Sequence, residues 1–474
     1  MPERFPRQVY LLTARQLSPE TIAVTFAKTS RSPHSFRQTA AELSDETSAE
    51  FHEKWVVGYG HASVAEHAIL HLAFENVSRL AVETIESNRL ASYTEKSTRY
   101  QTWDAGRFHV PSELTGTPHE AAYRRTCEML FSAYADALER VASVVRRSDP
   151  RGENESEERY DSRIRSRYVD ACRYLLPAAS LANLGMTVNA RVLEHTLQKM
   201  LASRLAEVRT IGGEVKAAAM REVPTLLKYA RPSEYLSETD AELGQAAHAV
   251  PVGDTGDWLR LAAVDPQGEF RVLAAALYAH SAAGVEAAQA HVERLGTDER
   301  RRLAGMLFER RGRFDAPLRA LEHLAYTAEV VLDQGAYFEL KRHRLMTQTP
   351  QRLSADLGYA VPRLIVEAGL ESAYHAAMQT AAETYGALAA WNPDVASYVV
   401  PNGFNRRLLM TFNLREAYHL IELRSASNAH FAMRRVAVRL AEEIQRTTPL
   451  LASWLRLPEG ADWRQIETEH FARV

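Results

Sequence analysis

Residues 339–347 read Glu-Leu-Lys-Arg-His-Arg-Leu-Met-Thr, and residues 87–100 read Ser-Asn-Arg-Leu-Ala-Ser-Tyr-Thr-Glu-Lys-Ser-Thr-Arg-Tyr. The two stretches are altered copies of one motif. The later copy keeps the cationic triplet at 342–344 and lacks the Ser/Glu/Ser/Arg tail. The earlier copy keeps that tail but has Ser87 and Asn88 where the triplet begins. The motif therefore indicates a duplicated chain whose halves have lost opposite parts.

Two further anchors recur in the same order. The Glu-His pairs at 66–67 and 322–323 precede the shared arginine by 22 and 21 residues, counted from the histidine. The Asn-x-Arg motifs at 189–191 and 413–415 each begin 12 residues after a proline. Self-similarity in a fixed order is the sequence signature of a repeat. We therefore predict that the whole chain is a tandem duplication.

The first copy is longer than the second. From the shared arginine to the Asn-x-Arg motif there are 100 residues in the first copy and 69 in the second. We place the insertion near 140–165 and predict that the charged segment 146–158 is an exposed loop. The predicted units are 1–238 and 239–474, joined in the region 235–257, where Ser, Glu, Gly, Pro and Asp accumulate.

The pattern of apolar residues predicts an α+β fold. The runs 68–74 and 324–331, which follow the two Glu-His pairs, are predicted to be strands. The stretches 120–146, 371–390 and 413–446 have helical composition and spacing. We therefore expect two similar helix-rich units, each with a small mixed or antiparallel sheet flanked by long helices.

Composition excludes several classes of protein. A chain of 474 residues suggests two or three domains, and 46% hydrophobic with 25% charged residues is typical of a soluble globular protein. The net charge of −3 gives no long-range attraction to nucleic acid or to a membrane surface. No signal-peptide core and no membrane span is recognised. Cys127 and Cys172 lie far apart, so we expect no disulfide, no cysteine metal site and a cytoplasmic location.

The cationic triplet has two interpretations that the triplet itself leaves open. Three consecutive cationic or imidazole side chains could be a solvated face, or they could be an anion site, because arginine forks suit phosphate oxygens. In the other copy, Ser97 and Arg99 would point to the same side of an extended chain and could hold a phosphate. Glu95 could accept a hydrogen bond from a ring N–H.

A polar row is predicted on the helix that follows the second Asn-x-Arg motif. Arg424 lies 11 residues after Asn413, close to three helical turns, and Asn428 lies one turn further on. Such a row could line an elongated ligand, although an exposed polar stripe is common. In the first copy the residue that matches Arg424 is Met200, which cannot bind a phosphate.

A metal site is not expected. His61 and His67 do not have the spacing of the two-histidine helical motif, and no cysteine or paired acid lies nearby. The chain also has no Walker loop and no Gly-x-Gly-x-x-Gly fingerprint, so neither a P-loop nor a Rossmann nucleotide site is supported.

These anchors, in this order, resemble the flavin-dependent thymidylate synthases. That family has a His-x-Ser-x-x-Glu-His segment, then Arg-His-Arg-x-x-Ser-x-Asn-Glu-x-Ser-x-Arg-Tyr, then Asn-x-Arg and a late-helix arginine. The first copy matches at His61, Ser63, Glu66, His67, Ser78, Arg79, Arg89, Ser92, Glu95, Ser97, Arg99, Tyr100, Asn189 and Arg191. The second matches at Glu322, His323, Arg342, His343, Arg344, Asn413, Arg415 and Arg424.

The resemblance implies a reaction and its partners. It implies reductive methylation of dUMP to dTMP, with FAD as cofactor, NADPH as reductant and methylenetetrahydrofolate as carbon donor. In the family, sites form between subunits of a tetramer. We therefore expect a homodimer of fused chains with one working site type, which joins the tail of the first copy to the triplet of the second.

The resemblance also implies roles for individual residues. The expected catalytic residues are Glu95, Ser97, Arg99 and Arg342, and the same residues with Arg424 would bind the nucleotide. The expected cofactor-binding residues are His61, Ser63, His67, Arg342, His343, Arg344, Asn413, Arg415, Asn189 and Arg191. No metal ligand is expected.

Two alternatives remain. Thr94, where the family has Asn, and the insertion are compatible with an enzyme of the same scaffold that acts on another pyrimidine nucleotide or base. The losses in both copies are compatible with a non-catalytic protein that binds a nucleotide or a flavin. Genetic rescue of thymidine auxotrophy and flavin content would separate the three possibilities.

Overall fold

The computed structural model describes residues 10, 12–28, 32, 34–58, 61–251, 253 and 256–474. The chain forms two compact units that interleave along the sequence. The first unit comprises Met1–Lys96, Pro111–Thr115 and Leu181–Pro251, and the second comprises Ser97–Val110, Gly116–Ser180 and Val252–Val474. The predicted boundary between residues 238 and 239 divides the two sequence copies, whereas these units are defined by their compactness. The predicted boundary therefore stays a prediction.

The structure is helix-rich, as expected. The α-helices are α1 Pro19–Lys28, α2 Phe36–Ala41, α3 Asp45–Phe51, α4 Arg79–Glu86, α5 Glu120–Ser148, α6 Glu157–Cys172, α7 Ala190–Leu201, α8 Ala206–Ala219, α9 Glu234–Ala246, α10 Gly268–Tyr278, α11 Val285–Arg294, α12 Thr297–Phe308, α13 Gln334–Leu340, α14 Arg363–Glu367, α15 Glu371–Ala389, α16 Pro393–Ala396, α17 Leu414–Arg424, α18 Phe431–Thr447, α19 Pro449–Ala452 and α20 Trp463–His470. Within the described residues, none of these helices combines the length and the apolarity needed to cross a membrane.

The strands form small antiparallel sheets. They are β1 Ile69–Ser78, β2 Ser92–Glu95, β3 Leu181–Asn189, β4 Leu259–Val264, β5 Ala325–Asp333, β6 Met346–Pro350, β7 Val361–Pro362, β8 Asn405–Asn413 and β9 Phe471–Arg473. Both predicted strands are confirmed, since β1 and β5 follow the two Glu-His pairs. The observed fold class is the predicted α+β class, and its sheets are antiparallel.

The first unit is built on a three-stranded sheet with the order β1-β3-β2. The middle strand alternates, so that Leu184, Met186 and Val188 are buried while Asn183 and Gly185 face outward. The buried side chains join a core with residues of α4, α7 and α8. Period-two burial of this kind is what an antiparallel sheet with one solvated face requires.

The second unit repeats this arrangement with one more strand. Its main sheet has the order β4-β5-β8-β6. Strand β8 occupies the place of β3, and its residues Leu408, Met410 and Phe412 are buried. The strand β5 pairs with β8 from Ala325↔Asn413 to Asp333↔Asn405 without a shift in register.

The one-residue difference in anchor spacing has a structural cause. Strand β1 has ten residues and β5 has nine, and the pairing of β1 with β3 shifts between Phe74 and Val77. Asn76 lies in this bulge with a φ of 56°, and its amide donates to the side-chain oxygen of Asn183 over 3.1 Å. A bulge inserts one residue into one strand only. It therefore accounts for 22 residues in one copy against 21 in the other.

The two anchor prolines mark a local two-fold relation inside the second unit. Pro177 and Pro401 form an isolated antiparallel bridge. The amide that follows each proline donates to the carbonyl that precedes the other, over 2.9 Å in both cases. Two equivalent segments that exchange equivalent hydrogen bonds form an isologous contact, as in a symmetric dimer. The contact agrees with a duplicated chain.

Two predictions about local structure were wrong in detail. The stretch 413–446 is not one helix, because a turn over 425–430 separates α17 from α18, and Asn428 therefore lies in the turn. The segment 146–158 is a loop only between α5 and α6. In both cases Ser, Asn, Gly or Asp residues marked the break. The loop was predicted to be longer than it is, and the turn over 425–430 was overlooked.

Candidate functional site

Two helix caps position the arginines of the second unit. Strand β8 ends at Asn413, whose side-chain oxygen accepts a hydrogen bond from the amide of Glu416 over 2.9 Å and starts α17. Strand β5 ends at Asp333, whose carboxylate accepts from the amide of Ala336 over 2.7 Å and starts α13. Such side-chain caps fix where a helix begins. Helix α17 ends at Arg424, and the predicted triplet 342–344 lies in the turn between α13 and β6.

The triplet is not a uniformly solvated face. Arg342 is exposed and Arg344 is half-buried, whereas His343 is only 3% exposed. The Nδ1 atom of His343 lies 2.9 Å from Glu416 Oε1, and its Nε2 atom lies 3.0 Å from the Nε of Arg424. Because an arginine Nε–H can only donate, Nε2 must be the acceptor and Nδ1 must carry the proton. His343 is therefore neutral in this arrangement.

The electrostatic environment of His343 agrees with a neutral ring. Burial lowers the pKa of His343, and the neighbouring Arg424 and His419 lower it further, while the hydrogen bond to Glu416 opposes the change. Burial disfavours the charged form of an imidazole because the charge loses its hydration. The same ring cannot be protonated without losing the hydrogen bond from Arg424.

One buried carboxylate, Glu339, lies under the electrostatic influence of four guanidinium groups. The guanidinium of Arg424 donates to the side chain and to the carbonyl oxygen of Glu339. Burial alone would raise the pKa of Glu339, but the charges of Arg173, Arg342, Arg424 and Arg99 outweigh it and lower the pKa. Glu339 is therefore ionised. We call these four residues the arginine cluster.

Arg99 reaches this cluster from the first half of the sequence. Its Nε and Nη2 atoms donate to Asp170 over 3.0 and 2.9 Å, and Nη2 also donates to the carbonyl of Asn428 over 3.2 Å. Arg99 thus lies beside residues that are 329 positions apart from it in sequence. The side chain of Arg99 is 12% exposed, and its ion pair with Asp170 holds it in place.

The expected extended course of Ser97 and Arg99 was wrong. Strand β2 ends at Glu95, and residues 98–100 form a turn. The hydroxyl of Ser97 accepts a hydrogen bond from the amide of Arg99 over 3.2 Å. Serine side chains compete with extended backbone in this way. Ser97 therefore shapes the loop that carries Arg99.

A cavity of about 420 Å³ lies next to Arg99. Helices α6 and α14 and the turn before α18 form its walls. Its charged lining residues are Arg99, Arg167, Arg363, Arg434, Asp170, Glu367 and Glu469. The cations exceed the carboxylates by one, so the cavity has a mixed lining rather than a strongly positive one.

Sequence reasoning missed Arg173, the most buried member of the cluster. Arg173 is 1% exposed, and it donates to the hydroxyl of Thr98 over 2.9 Å and to the carbonyl of Gly335 over 3.1 Å. It lies four residues before Pro177, and Ser397 lies four residues before the matching proline. The same spacing rule that found the anchors could have identified Arg173 as a residue kept by one copy only.

Glu95 lies in the first unit, where it has a buried partner. Its carboxylate forms an ion pair with Arg79 over 2.6 Å, and both side chains are at most 2% exposed. A buried pair of this kind leaves an uncompensated charge if either member is removed. The expected role of Glu95 toward the substrate stays a prediction.

The first unit brings three of the expected cofactor residues together. His61, Ser63 and His67 line one pocket of about 780 Å³. Its aromatic walls include Phe26, whose ring centre is 5.0 Å from that of His67, and Trp55, 6.1 Å from His61. Pockets with aromatic walls and a few polar groups suit flat heteroaromatic ligands.

The Asn-x-Arg motifs support both strand–helix corners. Asn189 caps α7 as its counterpart caps α17. Arg191 forms an ion pair with Glu66, and Arg415 forms the equivalent pair with Glu322 over 2.9 Å. The Glu-His and Asn-x-Arg anchors thus contact each other within each copy. Contact with a cofactor by these four Asn and Arg residues stays a prediction.

Together the fold and the site define a class: a helix-rich α+β protein with an internal duplication and one arginine cluster suited to an anionic ligand. A protein-family model described as thymidylate synthase complementing protein matches the chain twice, over residues 11–225 and 260–450. The chain belongs to this family. The two matches confirm both the resemblance and the predicted tandem form.

Similar proteins fall into two groups by length. A UPF0159 protein of Chlamydia muridarum is 30% identical over 440 residues, which cover 89% of this chain and 83% of that protein. A flavin-dependent thymidylate synthase of Clostridium tetani is 25% identical over 217 residues, which cover 46% of this chain and 84% of that protein. The second relative therefore corresponds to about one half of this chain.

A solved structure gives a weaker match. The flavin-dependent thymidylate synthase of Helicobacter pylori, complexed with FAD and dUMP, is 20% identical and has a TM-score of 0.32. The match covers 42% of this chain and all of that chain. A score this low supports no argument about the geometry of the site.

Proposed function

We propose that this chain is a flavin-dependent thymidylate synthase that converts dUMP to dTMP by reductive methylation. Family membership and the relatives that bear this name support the class, which is a methyltransferase with FAD as cofactor. The observation that carries the proposal is the arginine cluster. Arg99 comes from the copy that kept the tail, and Arg342 and Arg424 come from the copy that kept the triplet. The arginines that the two copies have separately kept therefore act on the same carboxylate, that of Glu339.

The nucleotide phosphate is the proposed ligand of this cluster. Arg99, Arg342 and Arg424 supply guanidinium groups, which bind phosphate oxygens in two-point contacts. Glu339 offsets part of their mutual repulsion before a ligand arrives. Ser97 holds the loop that carries Arg99 and is proposed to contact the phosphate as well. Glu95 is proposed to support the same loop from its ion pair with Arg79.

The pocket of the first unit is the proposed place of the flavin ring. His61, Ser63 and His67 would hold the ring between the aromatic walls. The other residues proposed to contact FAD are Arg342, His343, Arg344, Asn413, Arg415, Asn189 and Arg191. When bound, FAD supplies the hydride chemistry, with NADPH as the proposed reductant and methylenetetrahydrofolate as the proposed source of the added carbon.

The cysteines agree with a route that needs no protein nucleophile. Cys127 and Cys172 are both fully buried. Burial raises the pKa of both thiols well above the usual value, so neither forms a thiolate near neutral pH. The chain's own residues are thus left to bind the nucleotide, orient it and supply charge.

We further propose one working site type in each chain and a homodimer of fused chains in the cytoplasm. The matching positions of the first copy are Ser87, Asn88 and Met200, none of which carries a charge. A second site of the same kind would therefore lack its cations. This part of the proposal rests on the family's tetrameric arrangement and on the internal comparison.

Flavin content and release of tritium from [5-³H]dUMP test the proposal on the purified full chain. We expect about one FAD per chain and tritium release that requires NADPH and methylenetetrahydrofolate. Two FAD per chain would mean that both site types bind flavin. Bound FAD with turnover of a different pyrimidine nucleotide would favour the alternative, an enzyme of the same scaffold with another substrate. A colourless protein that takes up no FAD and releases no tritium would refute the flavoenzyme proposal.

A further inference from the structure

Glu416 is a buried acid that no motif singled out. It lies in the first turn of α17, it is 2% exposed, and its amide is the one capped by Asn413. Its carboxylate faces His343 Nδ1 at 2.9 Å. Building on the proposed function, we infer that Glu416 is a positioning residue, which orients the guanidinium of Arg424 toward the nucleotide by fixing the tautomer of His343.

The hydrogen bonds form a directed relay. His343 donates from Nδ1 to Glu416 and accepts at Nε2 from the Nε of Arg424. The two outer nitrogens of Arg424 donate to Glu339. Arginine has five N–H groups in a rigid fork. Three are therefore engaged by the protein, and one on each outer nitrogen is left for an anionic ligand.

The tautomer of His343 decides whether the relay exists. A ring with its proton on Nε2 would oppose the Nε–H of Arg424, donor against donor. A protonated ring would do the same and would add a positive charge beside the guanidinium. The Glu416 carboxylate selects the proton on Nδ1 because it can only accept.

The first copy shows that the relay is not required by the fold. Val192 stands at the place of Glu416, where its amide is capped by Asn189 in the same way. Asn88 and Met200 stand at the places of His343 and Arg424. The cap survives in both copies, whereas the three members of the relay are absent together from the first. We therefore attribute the relay to ligand binding rather than to the strand–helix corner.

Two substitutions copied from the first half test this inference. Glu416→Val removes the acceptor, and His343→Asn removes the ring. We expect each to raise the KM for dUMP by about 30-fold or more, with a change in kcat of less than about 10-fold. FAD content should be unchanged in Glu416→Val, because Glu416 is not among the residues proposed to contact FAD. Glu416→Gln keeps an oxygen that can accept from Nδ1 and should stay within about 5-fold of the parent KM. Val192→Leu, at the matching position, is the control and should leave the KM unchanged.

A readout that does not depend on activity separates this inference from the proposed function. In protein labelled with ¹⁵N-arginine, the Nε–H signal of Arg424, assigned through Arg424→Lys, should be protected from exchange in the parent and in Glu416→Gln. It should lose that protection in Glu416→Val and in His343→Asn. A protected signal in both variants would overturn the positioning role, whatever the activity. Lost protection with an unchanged KM for dUMP would also overturn it, whereas a parent with no activity on dUMP would refute the proposed function alone.

Discussion

The corners β3–α7 and β8–α17 have the same backbone and different chemistry. In both, an asparagine caps the helix and an arginine two residues later pairs with the glutamate of a Glu-His pair. Only the β8–α17 corner carries the relay and part of the arginine cluster. The difference teaches that the cap and the ion pair belong to the fold, while the cationic residues were free to be kept or lost.

At the β3–α7 corner, other side chains occupy the places that the cationic residues have at the β8–α17 corner. Met200, at the place of Arg424, is 1% exposed and belongs to the core of the first unit. The Nζ atom of Lys199 donates to the side-chain oxygen of Asn88 over 3.2 Å, so the residue at the place of His343 has a partner. Apolar packing and a local hydrogen bond have replaced a group of charges that would be costly to bury without a ligand.

The largest expected effect tests whether one site draws on both copies. Arg99 and Arg342 lie in different halves of the sequence. Substitution of either by alanine (Arg99→Ala or Arg342→Ala) should lower kcat/KM for dUMP by about 10³-fold. Each removes a charge-assisted contact with a dianionic phosphate. Steady-state kinetics on the purified variants checks this. Arg301→Ala, a surface arginine with 69% side-chain exposure, is the control. Parent-like kinetics in either cluster variant would refute the composite site.

A reciprocal exchange tests whether the two corners are functionally distinct. Arg424→Met should lower kcat/KM by about 10²-fold, because the guanidinium that the relay orients is lost. Met200→Arg should add no activity and should reduce the free energy of unfolding by about 3 kcal/mol, because it buries an unpaired charge. Kinetics and denaturant titration measure the two effects. A gain of flavin or nucleotide binding by Met200→Arg would show that the first corner is only partly inactive.

Glu339 should matter for stability in a pH-dependent way. Glu339→Gln leaves the arginine cluster without its central carboxylate and should cost about 2–3 kcal/mol at neutral pH. Because the folded pKa of Glu339 lies below the usual glutamate value of 4.5, its contribution is present above about pH 4.5 and is lost as pH falls through the folded pKa. The gap between parent and variant in unfolding titrations should therefore narrow in acid. A gap that widens in acid would contradict an ionised Glu339. Thr84→Ala, at the matching position, is the control.

The smallest effect separates a helix cap from a cofactor contact. Asn189→Ala and Asn413→Ala should each cost about 1 kcal/mol of unfolding free energy, since each removes one side-chain cap. If an asparagine also contacts FAD, as proposed for both, its substitution should weaken flavin binding as well, measured by flavin fluorescence in a titration. A flavin affinity equal to that of the parent in both variants would restrict both asparagines to the cap.

Much of the fold could be predicted from the chain alone. The apolar run after each Glu-His pair indicated β1 and β5, and helical composition indicated α5 and α15 almost to their ends. The breaks were harder to predict. The turn at 425–430 and the turn after Glu95 depend on serine and asparagine side chains that bond to nearby backbone, and such bonds compete closely with helix and strand.

Less of the candidate site could be predicted. The triplet and the tail were recognised because each kept half of a motif, but Arg173 and Glu416 belong to neither half. Both are buried, and their importance lies in what they touch. Glu416 lies on a helix that carries several other charged residues, so no sequence pattern distinguishes it unless its partner across the structure is known.

The sequence by itself determined that the chain contains two copies, which motif residues each copy had lost, and the Glu-His and Asn-x-Arg anchors that both retain. These features depend on spacing and periodicity along the chain, so they can be read without coordinates. Only the tertiary structure decided that Arg99 shares Glu339 with Arg424, and that His343 is neutral and lies between Glu416 and Arg424. The reason is that electrostatic interaction and hydrogen bonding depend on distance in space, and these partners become neighbours only when the chain folds.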